Sequence, residues 1–233
     1  PHQREVSVKG TSMTNELTDD ELREAIVRHE WDQFQRTNNE GGRAACQGNW
    51  PVFHQMRLAQ FLTWERPLLT SYAADLDAAD HVGRNLVTEK YGRMMASTAP
   101  ENFTKNIEPY IPRLSEERAA RQEQVIAQQV AWAKDFRERY PKLGEAMRAL
   151  TTTEDTPSAT SFETYLRGEL GTYSDQTFER YEAMIGERAA DHQRSLPARP
   201  HLPAHIGRIT ARIGPKMPVS SVWRECRALP SRI

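Results

Sequence analysis

The chain has 233 residues, and 31 Lys and Arg against 32 Asp and Glu leave a formal charge of -1, so no global field recommends nucleic acid or an anionic membrane as a partner. A hydrophobic content of 38% and a mean hydropathy of -0.75 suit amphipathic helices with charged outer faces around one self-sufficient core. Cys46 and Cys226 offer neither a disulfide framework nor zinc-ligand spacing, and no apolar run approaches the roughly 18 residues of a spanning helix, so a cytoplasmic protein without membrane association is expected.

Residues 1–12, ahead of Met13, read as a tag-like or disordered leader. Thr18 and Glu21 then form a capping box, and Leu22, Ile26, Val27, Trp31 and Phe34 recur at helical spacing, which predicts a helix to about residue 37. Glu30 lies four residues from both Ile26 and Phe34, so it belongs to the buried face or its edge. Asn38, Asn39, Gly41 and Gly42 end this helix in a turn that Arg43 follows. Asn49 before Trp50 and Pro51 predicts an N-cap and a helix over about 51–65, with Arg57 between Phe53 and Phe61 at the border of the core.

Pro67 kinks or restarts the chain, which continues helical over 68–81 with Leu69, Tyr72, Ala73 and Leu76 inward. Gly83 divides it from a third helical piece over 84–95. Pro100, Pro109 and Pro112 predict an extended or looped segment. A long helix runs from the cap Ser115 to about residue 140, with Glu116, Glu117, Arg118, Arg121 and Glu123 as its solvated face. A short helix over 141–150, a loop over 151–160, and helices over 161–170 and 174–195 follow, the first of these two capped by a box of Thr160 and Glu163. The prolines at 197, 200, 203, 215 and 218 predict a basic, proline-rich C-terminal arm over 196–233. The fold class is all-α: an irregular multi-helix bundle, with residues 13–195 as the helical domain.

Glu30 is the sharpest candidate for chemistry. A carboxylate on an apolar face is either a tuned acid or base, or half of a structural ion pair, here with Arg43 or Arg57. Cys46 stands near Arg43 and a helix start, where a thiolate is favoured, with His29 or His54 as bases; a small buried hydrophobe is the competing account. Gly41, Gly42 and Arg43 suit an anion or carboxylate, or simply turn the chain. Asp77 with His81 and Glu187 with Asp191 have helical spacing, but no Glu-x-x-His motif is present and no metal site is assigned. Glu89 can pair with Arg93 one turn on, while Arg84, Asn85, Glu89 and Tyr91 can complete a pocket wall against the first helix.

The string Glu30, Trp31, Phe34, Asn38 through Ala44, Cys46, Gln47, Met56, Arg57, Gln60, Phe61, Trp64, then Gly83 through Leu86, Glu89 through Tyr91 and Arg93 through Met95 resembles a microbial family recorded as a domain of unknown function, the 4125 family. Motif likeness covers about residues 24–112 and continues more vaguely to 192–195. The resemblance implies an intracellular protein, in some cases encoded beside biosynthetic or nucleotidyltransferase-like genes, and assigns no catalytic residue.

The expected function is a small-molecule enzyme, of which natural-product tailoring is one form. Glu30 and Cys46 are its catalytic candidates, and Arg43, Asn39, Arg57, Trp31, Trp50, Arg84, Glu89 and Tyr91 contact a small-molecule ligand. The alternatives are a non-enzymatic ligand-binding or interaction module whose polar cluster is structural, and a haem-oxygenase-like non-haem iron oxidase. No cofactor and no nucleic acid are expected, and a homodimer is compatible with the sequence.

Overall fold

A computed structural model of the chain describes residues 17–38, 43 and 45–195. The leader, Asn39, Gly41, Gly42 and the C-terminal arm lie outside the described residues. Among those described, nine α-helices and no strand are found: α1 (Asp19–Gln35), α2 (Trp50–Phe61), α3 (Arg66–His81), α4 (Leu86–Thr98), α5 (Pro100–Asn106), α6 (Glu116–Arg139), α7 (Pro141–Gly144), α8 (Phe162–Leu170) and α9 (Asp175–Ser195). The all-α expectation holds. None of the described helices is long and apolar enough to cross a membrane.

Helix starts follow local chemistry. The Glu21 amide donates to Thr18 Oγ1 at 3.3 Å while the Thr18 amide donates to the Glu21 carboxylate at 2.8 Å, closing the expected capping box of α1. Asn49 caps α2 by accepting from the Val52 amide. Asn85 does the same for α4, so that helix begins at Leu86 after Gly83 turns the chain at φ 73.

Three boundary expectations and one burial expectation are corrected. Pro100 begins α5 instead of breaking the chain, because a proline in the first turn lacks only an amide that has no helical acceptor there. The helix expected over 141–150 shrinks to Pro141–Gly144. The cap of α8 is Ser161, which accepts from the Thr164 amide, whereas Glu163 accepts from the Thr152 amide across the loop. Arg118, expected in water, is buried at 5% exposure against the face of Phe178.

Helix α1 packs on α2, α3 and α4, α8 packs on α4 and α6, and α9 packs on α3 and α6. Their shared core holds Leu22, Ile26, Phe61, Leu69, Leu76, Ile126, Leu170 and Phe178, all 0–1% exposed. Each such side chain is worth about 1.5–3 kcal/mol of transfer free energy, which is the main force holding the helices together. Trp64 is the aromatic hub, with its ring edge-on to Phe61, Tyr72, Tyr173 and Tyr181 at centroid distances of 5.0–6.0 Å.

The crossing of α4 and α8 depends on Gly168. A Cβ there would meet the Lys90 carbonyl oxygen at 2.7 Å and Met94 Cγ at 2.9 Å, and the first of these is backbone that cannot rotate away. Gly168→Ala is therefore expected to lower stability by about 1–3 kcal/mol despite alanine's better helix propensity. A denaturant titration checks this, and an unchanged midpoint would show that the two helices separate freely.

Candidate functional site

The centre of the bundle holds a charged network. Glu30 reaches it because the period of α1 places it below Ile26 and above Phe34. Arg57 reaches it from the corresponding face of α2, with its guanidinium 4.9 Å from the Phe61 ring centroid. The two meet fork to carboxylate: Arg57 Nε donates to Glu30 Oε2 at 2.6 Å and Nη2 to Oε1 at 2.5 Å. The Tyr72 hydroxyl on α3 adds a third donor to Glu30 Oε1 at 2.7 Å.

The other edge of Arg57 faces Glu169 on α8. Arg57 Nη1 lies 3.3 Å from both Glu169 oxygens, Gln60 Nε2 donates to Oε1 at 2.6 Å, and Tyr173 donates to the same oxygen at 3.0 Å. Lys90 Nζ on α4 donates to Glu169 Oε2 at 2.9 Å and to the Tyr165 hydroxyl at 2.5 Å. Two carboxylates and two cations thus sum to zero charge, at exposures of 2% for Glu30, 6% for Arg57, 7% for Lys90 and 3% for Glu169. Buried charge is tolerated only when paired and hydrogen-bonded in this way.

Burial opposes ionisation at each member, and the opposite charges decide the outcome. Burial alone would push Glu169 up, but Arg57 and Lys90 more than offset it and hold the carboxyl below the usual carboxylate range. Arg57 is likewise kept charged against burial by Glu169 and Glu30. The Tyr72 and Tyr173 phenols are pushed well up, first by burial and then by the neighbouring carboxylates, so they remain donors.

Of the residues expected to converge, Glu30 and Arg57 meet, and the ion-pair alternative for Glu30 is realised with Arg57 and not with Arg43. Arg43 is exposed, and its guanidinium donates to the Gln47 carbonyl at 3.1 Å and to the Gln35 side chain. Cys46 is half-buried in the 3-10 turn Ala45–Gly48. Next to it, Gln47 Nε2 donates to the Phe34 and Thr37 carbonyls and so fastens that turn to the end of α1.

Glu89 pairs bidentately with Arg84 at 2.7 and 2.8 Å, not with Arg93, whose guanidinium donates to the Pro112 carbonyl. Trp31 and Trp50 do join, edge-on at 5.4 Å, in a half-buried aromatic cluster. Phe53 packs on Trp31 and stacks on Phe34, which in turn meets Tyr91 at 6.0 Å, and Arg28 lies over the Trp50 ring. On the same side His54 Nε2 lies 2.8 Å from Glu24 Oε1.

The model of a protein family of unknown function, DUF4125, matches residues 20–201. The chain belongs to this family. No curated protein and no solved structure matches it. In this DUF4125 chain the network also holds Glu169, Tyr165 and Tyr173, which the sequence does not mark as site candidates, together with Tyr72, expected only as an inward residue of its helix, and Lys90, expected only as part of the family-like string. A usable signal exists, since Glu169 stands three and four residues after Leu166 and Tyr165, and Lys90 stands four after Leu86 and four before Met94. Among the described residues no three His, Cys, Asp or Glu side chains are grouped to hold a metal ion.

Proposed function

We propose that this DUF4125 chain is a non-enzymatic ligand-binding or interaction module whose internal charge network fixes the register of its helices. The observation that carries this reading is saturation: Glu30 accepts three hydrogen bonds, and Glu169 accepts from Arg57, Gln60, Lys90 and Tyr173. A general acid or base needs a lone pair or proton within reach of substrate, and these oxygens are engaged inside the core. The half-buried cluster of Trp31, Trp50, Phe53 and His54, with Arg28 across it, is the contact surface in this reading, because Trp gives large contact area at little loss of conformational freedom and Arg is enriched with it at binding hot spots. A cytoplasmic location belongs to the same proposal.

The test is the melting temperature of Glu30→Gln. The amide keeps the shape but cannot complete the charged fork, so a fall of roughly 6–12 °C is expected. A Glu30→Gln protein that melts with the wild type would remove this reading and return Glu30 to the catalytic candidates.

A further inference from the structure

We propose that residues 197–218 of this chain's own C-terminal arm dock on the half-buried aromatic face of α1 and α2, around Trp31, Trp50 and His54. The proposal rests on the reading of that face as a contact surface, and it names the occupant. Prolines stand at 197, 200 and 203 and again at 215 and 218, so the spacing Pro-x-x-Pro occurs three times. Segments with this spacing bind aromatic surfaces as a polyproline II helix. Its three-residue turn sets the two prolines of each motif on one edge, about 9 Å apart. Trp31, Trp50 and His54 follow one another at centroid steps of 5.4 and 5.0 Å and so present rings over a comparable reach. A polyproline II helix has no internal hydrogen bonds. Arg28, exposed over the Trp50 ring and without an ion pair among the described residues, offers donors to its carbonyls.

Charge selects the arm as the occupant. Of the 31 Lys and Arg, seven lie in residues 196–233, against one of the 32 Asp and Glu, Glu225, so the rest of the chain holds 24 against 31. The near-neutral whole is a basic arm joined to an acidic domain. Arg199 and Lys216 stand inside Pro-x-x-Pro motifs, while Glu24, 39% exposed beside His54, and Asp32, exposed and next in the chain to Trp31, flank the rings.

The connection is long enough. Arg188, seven residues before the end of α9, donates to the Thr63 carbonyl just beyond α2, and Trp50 lies thirteen residues back from Thr63, about 20 Å at 1.5 Å per residue. From Ser195 to Pro218 the chain can span up to roughly 75 Å. A tethered segment also meets its surface at an effective concentration on the order of millimolar, which a free acidic or aromatic partner must exceed.

The experiment is limited trypsin digestion of the full chain, following the cut after Arg208, which has no proline within four residues. Rates are divided by those of a synthetic peptide of residues 196–218 carrying the same substitutions. Cleavage tracks the undocked fraction, so replacing the five prolines at 197, 200, 203, 215 and 218 by alanine is expected to raise the normalised rate at least about threefold. Trp50→Ala is expected to raise it equally. Should Trp50→Ala fail to fold, the proline variant, which leaves the helical domain untouched, decides alone. Equal normalised rates in the wild type and the proline variant would overturn the docking while leaving the contact-surface reading to the Glu30→Gln test. A folded Trp50→Ala protein cut at the wild-type rate would overturn it too, and so would protection that grows with protein concentration, which would assign the arm to a second copy.

Discussion

Arg57→Met is expected to lower stability by about 3–5 kcal/mol, enough to reduce the melting temperature by roughly 10 °C or more. The methionine fills most of the stem's volume, so the loss is electrostatic. Arg57 is the cation that Glu30 and Glu169 share, and its removal leaves Glu30 with the Tyr72 hydroxyl alone. A carboxylate buried at 2% exposure then has no counter-charge. Breaking a buried pair from one side costs far more than the pair was worth, because the remaining charge pays its full desolvation. Urea unfolding checks this, and a loss below about 1 kcal/mol would place the network in the class of surface ion pairs.

Glu169→Ala is expected to cost a similar amount for the opposite reason. It removes an acceptor from Arg57, Lys90, Gln60 and Tyr173 together and leaves the core with a net positive charge. The pH dependence follows from the sign of the shift. Because the folded carboxyl titrates below its unfolded value, Glu169 contributes stability that is fully present above about pH 4.3 and is lost as pH falls through the folded pKa. The wild type is therefore expected to lose stability steeply from about pH 5 downward, and Glu169→Gln to start lower but fall less over the same range. Melting curves from pH 6 to 3 measure both, and parallel slopes would show that Glu169 is not held in its charged form by its neighbours.

The helices were largely legible in the sequence because their ends carry local signals: the Thr18 and Glu21 box, the Asn49 cap, the Gly83 turn. Expectations failed where one residue type has two uses. Pro100 breaks an extended helix but begins a new one, and Ser161 beside Thr160 competes for the same cap. Arg118 shows a different limit, since Phe178 buries it from α9 and no local pattern records that contact.

The candidate site was legible in half. Glu30 and Arg57 lie 27 residues apart on adjacent helices, so their apolar-face positions could be read and paired. Glu169 lies 112 residues beyond Arg57, and its position on an apolar face says that it is buried but not what it meets. Arg43 looked closer to Glu30 in sequence than Arg57, yet it hangs from a turn and reaches only the outer surface of α1. The density of aromatic residues around Trp31 and Trp50 was a true guide to their packing, and Tyr91 joins them through Phe34.

A double-mutant cycle on Glu30 and Arg57 tests the central claim most directly, with Glu30→Met, Arg57→Met and the double variant unfolded in urea. If the pair is one structural unit, the double variant is less destabilised than the sum of the two single variants, by about 2 kcal/mol or more. Additive losses within about 0.5 kcal/mol would contradict the account, because they would mean that Glu30 and Arg57 stabilise the fold independently of one another.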